Sequence, residues 1–532
     1  MADELATMLL KRLGSLQTQR ETWESHWQEI ADYVVPRKAD VTKHRSPGDK
    51  RTELIFDGTA IHAAELLSAS LHGMLTNAST SWFGLRFKDR VLNGDDEARE
   101  WLQGVEDVMY QAFNRSNFQE QIHELYHDLI TFGTAVMFVD ADDEQQIRFS
   151  TRHIAECYLS EDQKGRVDTV YRKFKMPGRA VIARFGSDKL NSKIQQRIKE
   201  NPYELIELVH AVYQRDEYDT TKIDSQNKPV ASVYMEPSEK IVLSESGFDE
   251  FPYMAPRFLK ASFEIGYGRS PAMTSLADIK MLNKMSEVTI RAAQKQVDPP
   301  LLVPDDGFML PIRTVPGGLN FYRSGTRDRL EPLNIGANNP LGLNMEEQRR
   351  QAIRAAFYVD QLILGQGPQM TATEVVQRTE EKMRLLGPVL GRLQAELLQP
   401  LIDRVYNLLA RQKAFEVAPE ILTDQAIDIE YVSPLAKAQR QGDIQAMTRL
   451  LELMMPLTQL DPGIMDYIDA DGISKHLIKI LAVPATAVRG DREVALKRQE
   501  RQEQQQQAAE AQEDMQTAQA AGQAAPMIQA LK

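Results

Sequence analysis

The chain is 532 residues long, with 42% hydrophobic and 26% charged residues, so it is large enough for roughly two to four globular domains. Its net charge of −13 argues against a protein that binds duplex DNA tightly over its whole surface, because such binding needs a basic surface. The single cysteine, Cys157, excludes an internal disulfide. We find no secretory signal and no apolar run near the roughly 18 residues that a membrane span needs, so the chain is predicted to be made in the cytosol.

The N-terminal part is predicted to be largely helical. Apolar residues recur at steps of three, four and seven from Leu5 to Val34, which predicts a long amphipathic helix that ends at Pro36. Asp57 is predicted to cap a second helix. The buried stripe expected for that helix consists of Ile61, Ala64, Leu67, Leu71 and Leu75. The next predicted elements are a strand at 82–87, helices at 96–115 and 117–131, and a strand at 134–140.

Residues 145–265 have the pattern of an α+β region, because short runs with β propensity alternate with turn residues. The predicted strands are 147–151, 167–175, 205–215, 230–235, 240–244 and 257–264. Two short helices are predicted at about 178–185 and 188–200.

The central part is predicted to contain two long helices around an irregular insert. Ser270 followed by Pro271 is a typical helix start, and the helix extends to about Val297, roughly 40 Å. Residues 298–343 are rich in proline and glycine. Asn344 with Glu347 resembles a capping box for a second helix to about residue 364.

The C-terminal part begins with a further capping box, Thr371 with Glu374. The helix that follows is predicted to continue past Gly387-Pro388 as far as Leu408, with a kink at Pro400. Residues 434–482 are predicted to form short helices. The Gln- and Ala-rich tail that follows is expected to be either a solvated helix or disordered until it meets a partner.

One motif suggests an alternative function, that of a zinc metallopeptidase. His123, Glu124 and His127 match H-E-x-x-H, in which two histidines on one helix face bind zinc and the glutamate acts as general base. The sequence identifies no obvious third zinc ligand for this motif, although Glu144 is one candidate for that position. The alternative is a packed helix, because the neighbouring residues Ile122, Leu125, Leu129 and Ile130 are apolar. No nucleotide-binding loop is present, and no cofactor is predicted.

A group of basic residues suggests contact with phosphates. Four cations fall within about 60° of each other on the helix at 271–297. They are Lys280, Lys284, Arg291 and Lys295, and Glu287 lies in the same stripe. More cations follow in the insert and the next helix: Arg313, Arg323, Arg327, Arg329, Arg349, Arg350 and Arg354. The two interpretations, a ladder that faces a phosphate backbone and a solvated helix face, stay open.

Several short motifs follow one another in a specific order. They are Trp-Gln-Glu-Ile-Ala-Asp-Tyr-Val-Val-Pro-Arg at 27–37, Asp-Gly-Thr-Ala at 57–60, Leu-His-Gly-Met-Leu-Thr at 71–76 with Trp82-Phe83, Thr-Phe-Gly-Thr-Ala at 131–135, Tyr-Gly-Arg-Ser-Pro at 267–271 with Asn283, Thr-Ala-Thr-Glu-Val at 371–375, Leu-Gly-Pro at 386–388 and Glu-Leu-Leu-Gln-Pro at 396–400. Over residues 5–415 the chain therefore resembles the head-to-tail connector (portal) proteins of short-tailed, T7-like bacteriophages.

The resemblance implies a mainly α portal-type subunit with an α+β wing, a two-helix stem, a clip and a helical crown. It implies a dodecameric ring at one capsid vertex of the virion, assembled in the host bacterial cytoplasm, through which DNA is packaged and ejected. The implied divisions are the wing at 1–265, the first stem helix at 266–297, the clip at 298–343, the second stem helix at 344–364, the tunnel loop at 365–372, wing and tunnel helices at 373–433, the crown at 434–490 and the C-terminal tail at 491–532.

The resemblance also implies partners and roles. The clip, with Arg313, Arg323, Arg327 and Arg329, would meet the terminase large subunit and later the tail adaptor, and the crown side would meet scaffolding or core proteins and the major capsid protein. The tunnel loop would consist of polar but uncharged residues, Gln366, Gln369, Met370 and Thr371, and the nearest basic residue is Arg378. Twelve copies of a chain with a charge of −13 would carry −156, so the ring would not hold DNA fast overall. Such a subunit has no catalysis of its own.

Overall fold

The structure is a computed structural model that describes residues 2–302 apart from 47, 90, 93, 94, 220 and 223, together with 311, 312, 321, 331, 332, 340–362, 386–423, 429–431, 447–450, 452–454, 469, 471–474, 477 and 493–507. The chain forms two compact units: Met1–Thr80 with Ala112–Leu408, and Ser81–Gln111 with Leu409–Lys532. The fold is mixed, mainly helical with small antiparallel sheets. Across the described residues, the helices all lack either the length or the apolar character that crossing a membrane requires.

The described residues contain both helices and strands. In chain order they are α1 (Ala2–Val34), α2 (Thr59–Leu75), β1 (Leu85–Phe87), α3 (Asp96–Arg115), α4 (Phe118–Phe132), β2 (Val136–Asp142), β3 (Gln146–Arg152), β4 (Cys157–Glu161), β5 (Val167–Pro177), α5 (Gly178–Phe185), α6 (Ser192–Glu200), β6 (Leu205–Gln214), β7 (Val230–Glu236), β8 (Ile241–Phe248), β9 (Tyr253–Met254), α7 (Pro271–Val297), β10 (Leu301–Leu302), β11 (Glu331–Pro332), α8 (Pro340–Ala356), α9 (Val359–Leu362), α10 (Gln399–Arg411), α11 (Glu420–Thr423) and β12 (Ile429–Tyr431).

The first unit is organised around a five-stranded antiparallel meander, β4 to β8. Side chains alternate across it, so Leu208 and Val209, adjacent in β6, belong to two different cores. The N-terminal part of α1 packs on the Val209 face, and α5 and α6 cover the Leu208 face. Arg20 of α1 is buried and donates from Nη1 to the carbonyl oxygens of Ile154 (3.0 Å) and Cys157 (2.8 Å). This contact fixes α1 to the start of β4.

A second, three-stranded sheet has the order β3-β2-β9. Its β3 edge is covered by side-chain amides: Asn117 bonds both the N–H and the carbonyl oxygen of Phe149, at 3.0 and 2.9 Å. Gln121 Oε1 accepts from the N–H of Thr151 at 2.7 Å. These three backbone groups of the edge strand are therefore satisfied without another strand.

The second unit contains β1 paired with β12, together with part of α3. The hydroxyl of Tyr110 on α3 accepts from the N–H of Phe83 at 2.7 Å and donates to its carbonyl oxygen at 2.8 Å. Strand 82–87 was predicted, but only its last three residues pair.

The predicted strand at 257–264 is wrong. Only Arg257 and Leu259 in this segment form isolated bridges, to Thr134 and Arg269. The N–H of Arg257 donates to the side chain of Glu396 at 2.9 Å rather than to a neighbouring strand, as part of an ionic network described below. Four short strands, β4, β9, β11 and β12, were not among the predicted strands, because their pairing with β5, β2, β10 and β1 is not visible in local periodicity.

Three predicted helix features differ from the structure. Asp57 is not the N-cap of α2: Gly58 holds that position, and the Asp57 carboxylate accepts from the N–H of Thr59 at 2.9 Å. The helix that follows the insert begins at Pro340 rather than after Asn344, and it ends at Ala356. Tyr358, with φ +58°, separates it from α9, because a residue in the left-handed region cannot continue a helix. The predicted stripe residue Ile61 is only half-buried.

The helix around Pro400 contains the expected irregularity in a particular form. Residues 386–393 are α-helical, residues Gln394–Leu398 form a π-helical turn, and α10 follows. Proline has no N–H to donate within the helix, so the turn before it departs from the α-helical pattern.

Candidate functional site

The candidate site is the long helix α7 together with α8, which packs against it. The start of α7 is fixed as predicted: Ser270 Oγ accepts from the N–H of Met273 at 3.0 Å. The same hydroxyl donates to the carbonyl oxygen of Thr131 at 2.7 Å, so the cap also joins α7 to the end of α4. One side chain therefore sets both the first turn of the helix and its direction.

Two glycines allow this junction to form. Gly133 ends α4 with φ +77°, and a Cβ at this position would lie 2.3 Å from the carbonyl oxygen of Gly268. The N–H of Gly268 donates to Thr134 Oγ1 at 2.8 Å. The motifs at 131–135 and 267–271, which are far apart in sequence, are thus in direct backbone contact.

An aromatic cluster supports the same junction. The ring of Tyr267 lies 5.8 Å from Trp23 and 5.0 Å from Trp27, measured between centroids. The Tyr267 hydroxyl accepts from the N–H of Leu159 at 3.1 Å, and its burial raises the pKa of the phenol above the ordinary value. The base of α7 is therefore bound to both α1 and β4.

A buried ionic network lies beside this cluster and is built around Arg257, which is 1% exposed. Its backbone N–H and its Nε both donate to Glu396 Oε2 at 2.9 Å, and Nη2 donates to Glu396 Oε1 at 2.7 Å. Its Nη1 donates to Glu161, which also accepts from the N–H of Gly266 at 2.8 Å. The network connects β4, the π-helical turn and Gly266 in the loop before α7.

The middle of α7 is held by Asn283. Its Oδ1 accepts from the N–H groups of Phe56 (2.9 Å) and Asp57 (3.2 Å). The Asp57 carboxylate accepts from Arg350 Nε of α8 at 2.9 Å. Partial burial opposes ionisation of Asp57, but the hydrogen bonds from Thr59 and Arg350 outweigh it and lower the pKa of that carboxyl. α2, α7 and α8 are thereby joined at one point.

The far half of α7 has a different character. Beyond Ser286 the side chains are exposed or half-buried around the whole circumference, including Val288 (56% exposed) and Val297 (87% exposed). On the α8 side, Thr289 Oγ1 donates to Glu346 Oε1 at 2.7 Å. This half of the helix projects from the unit with apolar residues uncovered.

The four cations predicted on α7 are all exposed on the helix. Asp278 and Thr289, which contact α8, lie about 160° and 180° around the helix from Lys280, so the cation stripe faces away from α8. Lys280 pairs with Glu29 at 3.2 Å. Lys284 and Arg291 share Glu287, at 2.9 and 2.6 Å. Within the part of the chain that the structure describes, Lys295 has no carboxylate within ion-pair distance. The stripe is thus largely balanced by carboxylates of the same chain.

The arginines predicted on the second helix are engaged as well. Arg349 pairs with Asp278 at 2.7 Å, and Arg354 lies 3.7 Å from Glu347. Arg313, Arg323, Arg327 and Arg329 of the insert lie outside the described residues. So do Gln366, Gln369, Met370 and Thr371 of the predicted tunnel loop, Arg378, and the capping box at Thr371.

The H-E-x-x-H motif lies on α4, where its glutamate pairs with Arg37 and Lys38. Burial opposes ionisation of Glu124, but hydrogen bonds from Arg37 and Lys38 outweigh it and lower its pKa to about 2. Burial and the same two cations lower the pKa of His127 to about 4. These ion pairs oppose the proton uptake that a general base requires. Among the residues that the structure describes, no three His, Cys, Asp or Glu side chains are arranged to hold a metal.

The sequence did not indicate the Arg257 network, because Arg257 lies 96 and 139 residues from its two glutamate partners. One weak indication of a role for Glu396 was its place in the Glu-Leu-Leu-Gln-Pro motif at 396–400. A glutamate before Leu-Leu is, however, usually a solvated helix residue. Asn283 was part of the motifs, and an amide side chain on the apolar side of a helix was the available indication of a buried polar contact.

Comparison with known proteins gives one consistent result. The family model described as bacteriophage head to tail connecting protein matches residues 6–488. The probable portal protein of Bordetella phage BPP-1 is 32% identical over 505 residues, 93% of this chain and 90% of the relative. The portal protein of Salmonella phage epsilon15 is 32% identical over 521 residues, 94% and 93% of the two chains. The portal protein of Enterobacteria phage T3 is 22% identical over 84% of this chain and 82% of the relative.

Proposed function

Because the chain belongs to the bacteriophage head-to-tail connecting proteins, we propose that its copies assemble into a closed ring at one vertex of the capsid, through which DNA is packaged and ejected. The match over residues 6–488 carries this proposal. The ring is proposed to be a dodecamer, located at the head–tail junction of the virion after assembly in the host cytoplasm. A ring needs two different complementary faces on each subunit, and the uncovered far half of α7 is a candidate for one of them.

The helices α7 and α8 are proposed as the stem of each subunit. The contacts of Ser270, Arg257 and Asn283 support this role, because they hold the base and the middle of α7 while its far half projects. A wall helix that carries load from passing DNA needs such a fixed base. In this arrangement residues 298–343 are the clip, which would dock the terminase large subunit and the tail adaptor, and residues 365–372 are the tunnel loop.

Lys280, Lys284, Arg291 and Lys295 are proposed to face the DNA. Because Glu29 and Glu287 balance most of this charge, the stripe would guide the duplex by short, exchangeable contacts rather than bind it firmly. Weak contact suits a channel through which DNA must move in both directions.

The subunit is proposed to have no enzymatic activity of its own. The ion pairs of Glu124 with Arg37 and Lys38 support this, because they remove the only candidate general base that the zinc-binding motif supplies. Scaffolding or core proteins and the major capsid protein are the further proposed partners.

Negative-stain electron microscopy and native mass spectrometry of the purified full chain test the ring. Closed rings with a central hole, and a single mass that is an integer multiple of the 60.3 kDa chain, are expected. A monodisperse monomer at micromolar concentration would contradict the proposal. Variant Ser270→Ala serves as a probe of the stem: it should assemble less well than variant Thr274→Ala, which removes a hydroxyl of the same helix turn that only bonds within α7.

A further inference from the structure

The helices α5 and α6 form a basic region in an acidic chain. Residues 178–200 contain two acidic residues, Asp188 and Glu200, and six basic ones, a formal balance of +4 in a chain of −13. The six basic residues are Arg179, Arg184, Lys189, Lys193, Arg197 and Lys199. All six are exposed.

The packing of these helices directs the charges outward. Val181 and Phe185 of α5 and Ile194 and Ile198 of α6 are buried against one face of the five-stranded sheet. The polar faces of both helices therefore point away from the sheet. No large apolar side chain within 178–200 is exposed, so this outer surface lacks the apolar centre that a protein–protein interface requires.

Part of the positive charge is not balanced. Lys193 pairs with Glu239 at 3.2 Å and Arg197 with Glu204 at 2.5 Å, while Arg184 donates to the Tyr234 hydroxyl at 2.9 Å. Across the described residues, Arg179, Lys189 and Lys199 have no carboxylate within ion-pair distance. The Arg179 guanidinium lies 5.0 Å from the centre of the Tyr203 ring, which is 67% exposed.

The helix junction brings two of these cations to the same corner. The N–H of Arg179, at the start of α5, donates to the carbonyl oxygen of Pro202 at 2.9 Å, just after the end of α6. Gly178 is so close to α6 that an added Cβ would lie 2.7 Å from Ile198, the residue before Lys199. Arg179, Lys199 and the exposed Tyr203 therefore share one end of the α5–α6 layer.

We propose that the outer surface of α5 and α6 binds the phosphate backbone of duplex DNA, independently of the stripe on α7. Long cationic side chains without bound carboxylates and without an apolar centre match a ligand that offers a dense row of phosphates. The proposed contacts are to phosphates, so they would not distinguish one base sequence from another. It is a second DNA contact, and it does not depend on the ring being formed.

The test uses the full chain and a relaxed, closed-circular duplex, which has no end to thread through a ring. Binding is titrated by gel shift between 50 and 200 mM salt for the wild type and for Arg179→Gln/Lys189→Gln/Lys199→Gln. The triple variant should bind about tenfold or more weakly at the lowest salt, and the slope of log K against log salt should flatten by about 2 to 3, since each phosphate contact contributes about 0.9. Its melting temperature should stay within error of the wild type, because all three side chains are exposed.

A matched variant, Lys11→Gln/Lys50→Gln/Lys164→Gln, removes the same charge from exposed lysines elsewhere. It should retain affinity within about threefold and the full salt slope. Equal weakening of both triple variants would overturn the proposal, because only net charge would then matter. The wild type could instead bind poly-glutamate as tightly as the duplex, with that binding lost in the Arg179/Lys189/Lys199 variant. This result would overturn the proposal in favour of an acidic protein partner.

Discussion

The two halves of α7 are stabilised in opposite ways. From Ser270 to Ser286 the helix is held by buried polar contacts: Ser270 bonds to the end of α4, and Asn283 bonds to the segment before α2. From Val288 onward it has exposed side chains on all sides and ion pairs at the surface. Buried polar contacts are costly to leave unpaired, whereas exposed ion pairs contribute little. Rigidity is therefore concentrated at the base, and the far half is left available for partners.

The largest effect should come from Arg257→Ala. The change leaves Glu161 and Glu396 in a buried site without their partner, which costs about 3–5 kcal/mol. The urea midpoint followed by tryptophan fluorescence should fall sharply, with a lower soluble yield. Lys280→Ala in the exposed stripe is the control and should leave the midpoint nearly unchanged. Equal midpoints for the two variants would show that the base is not the rigid half.

Gly133→Ala should be the next most damaging change. Alanine is strained at φ +77°, and its Cβ would meet the backbone of Gly268, so a loss of more than about 2 kcal/mol is expected. Gly73→Ala in α2 is a matched control, because nothing lies within 4 Å of an added Cβ there and the residue is helical. The Gly73→Ala control should leave the melting temperature unchanged or slightly raised. Equal melting temperatures for the two variants in thermal unfolding would contradict the close contact at Gly133.

Asn283→Ala should cost about 1–3 kcal/mol, because the N–H groups of Phe56 and Asp57 lose their acceptor. Hydrogen exchange should show faster protection loss in the segment before α2. Met281→Ala, two residues earlier and exposed, should change stability by less than about 0.5 kcal/mol. If Met281→Ala were the more damaging of the two, the exposed side of α7 would already be covered by a partner.

Acid should weaken the contact among α2, α7 and α8. The folded pKa of Asp57 lies below the ordinary value of 3.8, so its contribution is complete above that pH and is lost as the pH falls through the folded value. The urea midpoint of the wild type should therefore decline below about pH 4 more steeply than that of Asp57→Asn. Parallel declines would show that this carboxyl does not link the helices.

The smallest effect on stability is expected for Lys284→Glu/Arg291→Glu, within about 0.5 kcal/mol, because both side chains are exposed. Ring assembly should be normal, while genome packaging or retention, measured as full against empty heads, should be impaired. Lys11→Glu/Lys50→Glu is the control with the same charge change. Heads filled normally with DNA in the Lys284/Arg291 variant would show that the stripe does not contact DNA.

Sequence reasoning predicted well those elements whose signal is local. The bounds of α7 follow from Ser270-Pro271 and the end of its periodic pattern, and α3 to α6 were placed within a few residues. It failed where partners are distant: segment 257–264 has β propensity, but Arg257 is drawn into contacts with residues up to 139 positions away. The capping box at Asn344 was also misleading, because Pro340 can already occupy the first helical turn.

The amide-covered edge of β3 has a consequence for a protein that works in many copies. In the proposed ring, identical sheets would lie at high local concentration, and an open strand edge would allow them to extend into one another. Asn117 and Gln121 occupy the main-chain groups of Phe149 and Thr151 that such pairing would use. These two amides therefore protect the middle of the β3 edge against pairing with a strand of another copy.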